Sequence, residues 1–278
     1  MSHQDTGTES APRASGMPML GLGTWQNDEP GQCAESVQTA LEMGYRHVDT
    51  AQAYGNEAAV GEGIAAADVD REDVFLATKV WISRLAHDDV LSSTEESLDK
   101  LGVDSLDLLY IHWPAREYDP EGTLAAFEQL HDEGKIEHFG VSNFEPEHIE
   151  AARDHTDIPI FANQVELHPL LPQEELREYA AETGLELVAY SPLARGRVFD
   201  NDTITTIAEK HDASAAQVSL AWLREKGVTA IPKATGEAHI RDNWASLSLD
   251  LSEDDIAAID AIDETDRQVH PDFAPDAW

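Results

Sequence analysis

The stretch Leu106-Asp-Leu-Leu-Tyr-Ile-His112 is apolar along almost its whole length and ends on an imidazole. Such nearly continuous hydrophobicity is typical of a parallel strand that is covered on both faces, whereas a half-exposed strand alternates apolar and polar residues. The stretch therefore predicts a buried parallel strand whose last residue, His112, is polar.

Similar apolar runs recur along the chain, and amphipathic segments separate them. The other strand candidates are residues 20–24, 46–50, 74–79, 138–143, 161–166, 186–191 and 229–233, and the helix candidates are residues 33–43, 88–101, 122–132, 172–182 and 214–226. Asp88 is predicted to cap the second of these helices and Pro172 to lie in the first turn of the fourth. The alternation predicts a single closed (β/α)8 TIM barrel of the α/β class. A doubly wound open sheet is the alternative, but no G-x-G-x-x-G follows the first strand.

The chain is predicted to form one domain with two tails. Residues 1–16 are polar and are expected to form a flexible N-terminal tail, and residues 17–278 are expected to form the barrel. Residues 266–278 contain prolines and aromatic residues without a helical period. We expect this C-terminal segment to lie over the mouth of the barrel. Residues 193–202 form a longer connection after the seventh strand and are expected to cover a bound ligand.

The charge balance is strongly acidic. The chain has 18 Lys and Arg against 55 Asp and Glu, a formal net charge of −37, and the acids are spread along its length. Self-repulsion on this scale destabilises a compact protein unless salt screens it, so we favour a protein from a salt-filled cytoplasm. An acidic mesophilic protein that simply stays soluble is the alternative. Nucleic-acid binding is disfavoured, since it requires a basic surface.

Other simple counts limit the location and partners of the protein. Cys33 is the only cysteine, which excludes an intrachain disulfide and any cysteine-based metal site, and we expect no bound metal. No segment has the length or apolarity of a membrane span, and no signal-peptide pattern is present. We therefore expect a cytoplasmic protein without membrane or nucleic-acid partners, as a monomer or weak dimer.

Polar and aromatic residues follow the ends of successive predicted strands. They are Trp25, Asp49, Lys79, His112, Asn143, Gln164, Tyr190, Ser191 and Lys233. In a barrel these strand ends converge on one face, where active sites are built. Taken alone, each residue has a simpler explanation, such as a packed rim aromatic, a solvated lysine or a core histidine. Their common position favours a site.

The stretch Asp49-Thr-Ala-Gln-Ala-Tyr54-Gly-Asn-Glu57 adds a proton donor to that site. An unperturbed phenol has a pKa of about 10, and a neighbouring ammonium lowers it. Lys79 is the candidate ammonium, and Asp49 would hold it in place. We therefore expect Tyr54 to be a general acid with a lowered pKa, and His112 to hydrogen-bond a substrate carbonyl oxygen.

Several motifs resemble those of the aldo-keto reductase family and occur in the family's order. They are GLGTW (21–25), DTAQAYGNE (49–57), TKVW (78–81), IHW (111–113), GVSNF (140–144), NQVELHP (163–169), AYSPL (189–193) and IPKAT (231–235). The resemblance implies that Asp49, Tyr54, Lys79 and His112 form the catalytic tetrad of a reductase that transfers hydride from NADP(H) to a carbonyl compound. Trp25, Trp81 and Trp113 match the aromatic walls of the substrate pocket.

The resemblance also assigns the cofactor contacts. Ser142, Asn143 and Gln164 match the ligands of the nicotinamide carboxamide, Tyr190 matches the residue stacked beneath the ring, and Ser191 and Leu193 match pyrophosphate contacts. Thr24, Lys233, Thr235, His239 and Asn243 complete the expected cofactor set. Ala234 and His239 depart from the family's usual serine and arginine beside the 2′-phosphate. Since a neutral imidazole does not reproduce an arginine's bidentate recognition, we expect secondary use of NAD(H).

The expected activity is the reduction of aldehydes or ketones, including dicarbonyls or keto sugars, to alcohols. The short connection after IHWP is similar to that of prokaryotic family members. The alternative is a barrel that binds NADP(H) and serves as a regulatory subunit without significant turnover.

Overall fold

The computed structural model describes residues 10–275. Within them, a hairpin of β1 (Arg13–Ala14) and β2 (Met17–Pro18) precedes a parallel sheet. The strands of that sheet are β3 (Leu22–Gly23), β4 (His47–Asp49), β5 (Phe75–Val80), β6 (Leu106–Ile111), β7 (Ile136–Ser142), β8 (Ile160–Glu166), β9 (Glu186–Tyr190) and β10 (Thr229–Ala230). Each strand pairs in parallel with its neighbours in the chain, from β3 to β10.

Backbone contacts between the first and last strands close the sheet into a barrel. Leu20 bridges Ala230 and Gly23 bridges Lys233, both in parallel. Gly23 is required here, because a Cβ at this position would lie 2.5 Å from the Ile231 carbonyl oxygen. The predicted closed (β/α)8 barrel is therefore confirmed. The predicted last strand, 229–233, is shorter than expected, because Pro232 has no N–H to donate to a ladder.

Helices connect the strands on the outside of the barrel. In the described part of the chain they are α1 (Pro30–Met43), α2 (Glu57–Ala66), α3 (His87–Leu101), α4 (Pro120–Asp132), α5 (Pro146–Arg153), α6 (Glu174–Thr183), α7 (Asp202–Lys210), α8 (Ala215–Glu225), α9 (Glu237–Ala245) and α10 (Glu253–Asp260). None of these helices is long and apolar enough to cross a membrane.

Two predicted helix starts were wrong. Asp88 does not cap α3, since the residue before that helix is Ala86 and Asp88 lies inside its first turn. There its negative charge interacts favourably with the helix dipole. Pro172 precedes α6 rather than belonging to it, because Gln173, with φ 48°, separates the two. Ser214 caps α8, since its side chain accepts a hydrogen bond from the Gln217 N–H.

Two apolar clusters hold the barrel together. The larger lies between the helices and the outside of the sheet and contains Cys33, which is completely buried as predicted. The smaller fills the barrel interior and includes Met17 and Tyr110, both fully buried. Gly140 is required beside Tyr110, because a Cβ there would lie 2.7 Å from the ring.

The hairpin changes the expected N-terminal boundary. Of the predicted flexible tail, residues 1–9 lie outside the described residues. Residues 13–18, however, form the β1–β2 pair, and Met17 from that pair enters the interior cluster. Residues 13–18 are therefore part of the folded barrel, because an apolar side chain anchors the hairpin in its interior.

Candidate active site

A cavity of about 820 Å³ opens at the carboxyl ends of the barrel strands. Most of the predicted site residues line it: Thr24, Trp25, Asp49, Tyr54, Trp81, His112, Trp113, Ser142, Asn143, Gln164, Tyr190, Ser191, Leu193 and Lys233. Lys79 lies directly behind this wall, against Asp49. The residues come from different strands, and the barrel brings them together because its strand ends converge.

Asp49 and Lys79 form a buried ion pair at the base of the cavity. The Lys79 ammonium donates to Asp49 Oδ1 at 2.5 Å and to the Thr50 carbonyl oxygen at 2.8 Å. Their side chains are only 2% and 1% exposed. Burial lowers the pKa of Lys79, and the charge of Asp49 opposes that change. Removing one member would leave an uncompensated buried charge, which costs about 3–5 kcal/mol.

Gln164 holds the other oxygen of this carboxylate. Its side-chain amide donates to Asp49 Oδ2 at 2.8 Å, so both Asp49 oxygens have fixed partners. The sequence predicted Gln164 only as a cofactor contact. Its link to Asp49 joins residues more than a hundred positions apart, and only the closed barrel brings them into contact.

Tyr54 lies above the ion pair, with the Lys79 nitrogen 5.2 Å from the centroid of its ring. The predicted lowering of its pKa is wrong for this arrangement. Burial raises the pKa of Tyr54 well above its ordinary value, and the nearby charges of Asp49 and Tyr190 add to the rise. Lys79 does not reverse this effect, because Asp49 neutralises its charge. Tyr54 therefore keeps its proton at neutral pH.

His112 contacts two aromatic rings of the site. Its ring lies edge-on to Tyr54 and Trp81, with centroid separations of 5.9 Å and 5.0 Å. Burial lowers the pKa of His112 well below its ordinary value, and the Lys79 charge lowers it further. The imidazole is therefore neutral near pH 7. Its Nδ1 atom is enclosed and has no hydrogen-bond partner among residues 10–275.

Ser142, Asn143 and Tyr190 form a second polar network in the cavity lining. Asn143 donates to the His112 carbonyl oxygen at 2.9 Å and to Ser142 Oγ at 3.0 Å, and its Oδ1 accepts from the Tyr190 hydroxyl at 2.8 Å. Ser142 in turn donates to the Gln164 carbonyl oxygen at 2.7 Å. These bonds fix the side chains before any ligand binds.

The residues predicted to bind the phosphate end of a cofactor lie on the connection after β10 and on α9. Lys233 is exposed on the cavity wall, and His239 is exposed on the first turns of α9. Thr235, His239 and Asn243 do not line the cavity. Asn243 is buried, 3% exposed, while Arg241 is exposed and pairs with Glu237 at 2.6 Å.

Two of the predicted tryptophans, Trp81 and Trp113, form one side of the cavity together with the C-terminal segment. Phe273 packs edge-on against Trp81 and Trp113, with centroid separations of 5.7 Å and 5.5 Å. Val269 and Pro271 line the same wall. The sequence placed this segment at the barrel mouth but did not single out Phe273; its position beside two prolines was the only signal.

Arg195 is a further wall residue that the sequence did not identify. It belongs to the connection after β9, has a positive φ of 49°, and places its guanidinium 4.5 Å from the centroid of the Trp25 ring. Arg197, two residues later, lies 3.5 Å from both Glu264 and Asp266 at the base of the C-terminal segment. The connection therefore contacts both sides of the cavity.

Comparisons with known proteins agree with this arrangement. The aldo/keto reductase family model matches residues 19–264. The chain is 42% identical to glyoxal reductase of Bacillus subtilis (strain 168) over 251 residues, covering 90% of this chain and 91% of that protein. It is similar to the solved structure of a putative 2,5-diketo-D-gluconic acid reductase B, with TM-score 0.92, 37% identity and 97% of each chain covered.

An aldo-keto reductase of Bombyx mori, solved in complex with NADP, also superposes on the chain, with TM-score 0.84 and 32% identity over 91% of this chain and 92% of that one. These matches span the barrel, the cavity and the polar residues at its rim. The chain therefore belongs to the aldo-keto reductase family.

Proposed function

We propose that this protein reduces aldehydes and small dicarbonyl compounds to alcohols with NADPH, and that Tyr54 is the proton donor. The observation that carries the proposal is one cavity in which a protonated phenol lies beside the Asp49–Lys79 pair and the neutral imidazole of His112. A single residue of this set would be unremarkable, but the combination can both orient and protonate a carbonyl oxygen.

The polar network of Ser142, Asn143 and Tyr190 fits the carboxamide group of a nicotinamide. Asn143 Nδ2 is fully used in two hydrogen bonds, but Asn143 Oδ1 has accepted only one and keeps a lone pair. Gln164 lines the cavity and donates its amide to Asp49, which leaves its side-chain oxygen as an acceptor. Both acceptors suit a primary amide. When bound, the cofactor supplies the hydride.

Two of the protein's own residues would hold and donate the proton and orient the substrate oxygen. The pKa of Tyr54 lies above its ordinary value, so the phenol holds its proton until negative charge develops on the substrate oxygen. The enclosed Nδ1 of His112 has no acceptor, and a buried N–H without an acceptor is costly. The neutral ring therefore carries its proton on Nε2, from which it can hydrogen-bond the same oxygen.

The aromatic wall favours small or flat apolar carbonyl substrates. Trp81, Trp113 and Phe273 pack edge-on around the cavity and exclude water from the reacting group. The relatedness to glyoxal reductase supports small dicarbonyls as one substrate class. Lys233 on the cavity wall supports NADPH, while the imidazole of His239 in place of an arginine supports secondary use of NADH.

The proton donor can be tested with Tyr54→Phe. We expect this variant to keep its affinity for NADPH and to lose reduction of methylglyoxal by about 10²- to 10⁴-fold, since only the general acid is removed. Steady-state kcat/KM and the Kd for NADPH, followed by nucleotide fluorescence, provide the two measurements.

Tyr179→Phe is the matched control, because Tyr179 lies outside the cavity and hydrogen-bonds Glu150 and Arg153. It should retain wild-type kinetics. Near wild-type activity in Tyr54→Phe would refute Tyr54 as the acid. Tight NADPH binding by the wild type without turnover of any aldehyde in a broad panel would instead support the regulatory alternative.

A further inference from the structure

Glu166, the last residue of β8, is buried but does not contact the Asp49–Lys79 pair. Its side chain is 0% exposed, and its two oxygens accept hydrogen bonds from three groups. Oε1 accepts from the Gln268 backbone N–H at 2.6 Å, and Oε2 accepts from the Val269 backbone N–H at 2.8 Å. The His168 ring nitrogen Nε2 lies 3.0 Å from Oε1.

These bonds attach the C-terminal segment to the barrel. Residues 266–275 have no helix or strand of their own, so their backbone groups need partners elsewhere. Asp266, at the start of the segment, is held by a backbone bond from its N–H to the Leu170 carbonyl oxygen at 2.8 Å, and its carboxylate lies 3.5 Å from Arg197. A carboxylate that accepts two successive N–H groups fixes both the position and the direction of the chain.

The direction set by Glu166 determines where the substrate wall lies. Val269, which donates to Glu166, lines the cavity, and Pro271 and Phe273 follow along the same wall. Phe273 then packs against Trp81 and Trp113. The ring is only a few residues beyond the anchor, and Pro271 limits the freedom of the chain between them.

We propose that Glu166 is a positioning residue for substrate selection, acting through the C-terminal segment. It holds Phe273 over the cavity and thereby sets the preference for carbonyl compounds that carry an apolar or aromatic group. This inference rests on the proposed reductase function. It assigns Glu166 no part in hydride or proton transfer.

Glu166→Gln tests the proposal with little change in volume. The amide oxygen can accept only part of the three hydrogen bonds, and the amide NH2 must face an N–H donor. We expect the KM for 4-nitrobenzaldehyde to rise about tenfold or more, as the loss of a buried charge-assisted hydrogen bond predicts. Its kcat, the kcat/KM for methylglyoxal and the Kd for NADPH should change less than about threefold, because the Asp49–Lys79 pair is untouched.

A double-variant cycle distinguishes action through the segment from general damage. Phe273→Ala should reproduce the selective KM increase, and Glu166→Gln should add almost nothing to it in the double variant. Glu186→Gln, on the next strand, is the control and should behave as wild type; among residues 10–275, only Ser15 hydrogen-bonds the Glu186 side chain. Additive losses, or equal losses with both aldehydes, would overturn the proposal.

Hydrogen exchange of the free protein tests the anchor independently of turnover. The amides of Gln268 and Val269 should exchange faster in Glu166→Gln, while those of the barrel strands should not change. Unchanged exchange at these two amides would refute the anchor even if activity fell. A wild type that reduced no aldehyde would refute the reductase function and with it substrate selection, whereas exchange would still decide whether Glu166 holds the segment.

Discussion

Lys79 and Asp49 show how a neighbouring charge can mislead a residue-by-residue interpretation. An ammonium near a phenol lowers the phenol's pKa, but the Asp49 carboxylate that holds Lys79 has the opposite effect. Burial then dominates, and the pKa of Tyr54 rises. The arrangement suits a proton donor that works as an acid at neutral pH. The proton of Tyr54 would leave because negative charge develops on the substrate oxygen, and not because the positive charge of Lys79 is nearby.

His239 gives a residue-scale prediction about the cofactor. Its side chain is exposed on α9, and Arg241 is already paired with Glu237, so Arg241 does not replace the missing arginine. His239→Arg should raise the ratio of kcat/KM for NADPH over NADH by about tenfold, since a bidentate guanidinium–phosphate contact adds at least about 1.4 kcal/mol.

The same charge at the neighbouring position provides the control for this prediction. Ala238→Arg places a guanidinium one residue earlier on the exposed start of α9, where the helix turns it away from position 239. It should leave the cofactor ratio nearly unchanged. A similar rise in both variants would show that overall charge, rather than a contact from position 239, sets the preference.

At the scale of elements, Asp255 joins α7 to α10. Its oxygens accept hydrogen bonds from Lys210 at 2.7 and 2.9 Å, and from Ser252 at 2.6 Å, and His211 Nε2 lies 2.9 Å away. Burial alone would raise the pKa of Asp255, but the bonds from Lys210, Ser252 and His211 outweigh it and lower the pKa below its ordinary value. The carboxylate serves as both a helix cap and a cross-link.

Asp255→Asn should lower the free energy of unfolding by about 1–3 kcal/mol at pH 7. Because the folded-state pKa is lowered, this stabilisation is present above the unfolded pKa of about 3.9 and is lost progressively as pH falls from that value towards the much lower folded-state pKa, so the difference should begin to narrow at pH 3.5. Urea unfolding at pH 7, 5 and 3.5 should therefore show the two proteins converging in stability at acid pH. Asp254→Asn, in the exposed first turn of α10, is the control. A difference that persists unchanged at pH 3.5 would contradict this account.

At the scale of the whole molecule, repulsion between the many carboxylates is the main electrostatic contribution to stability. Even if every Lys and Arg neutralised one acid, carboxylates equal to the net charge of −37 would remain without a cationic partner. The ion pairs at the surface are mostly solvent-exposed, and such pairs contribute about 0–1 kcal/mol each. Intramolecular pairing therefore does not offset the repulsion, and we propose that dissolved salt screens it.

The melting temperature should rise by about 10 °C or more between 0.1 and 3 M KCl, which corresponds to a few kcal/mol for a chain of this size. Activity should follow the same trend, because salt also weakens repulsion of the anionic cofactor. Thermal melts in sucrose of matched osmolality are the control, because sucrose is excluded from the protein surface but does not screen charge. A midpoint that does not change with KCl, or that rises equally in sucrose, would refute the charge-screening explanation.

The sequence by itself determined the barrel, because strand and helix periodicity and helix-end residues are local signals. It also placed Asp49, Lys79 and His112 at the ends of their strands and Tyr54 shortly after β4, where the barrel brings them together. The direction of the Tyr54 pKa, the Gln164–Asp49 bond and the Glu166 anchor were decided only by the tertiary structure. Each depends on burial or on contacts between distant positions, and neither is recorded in local sequence pattern.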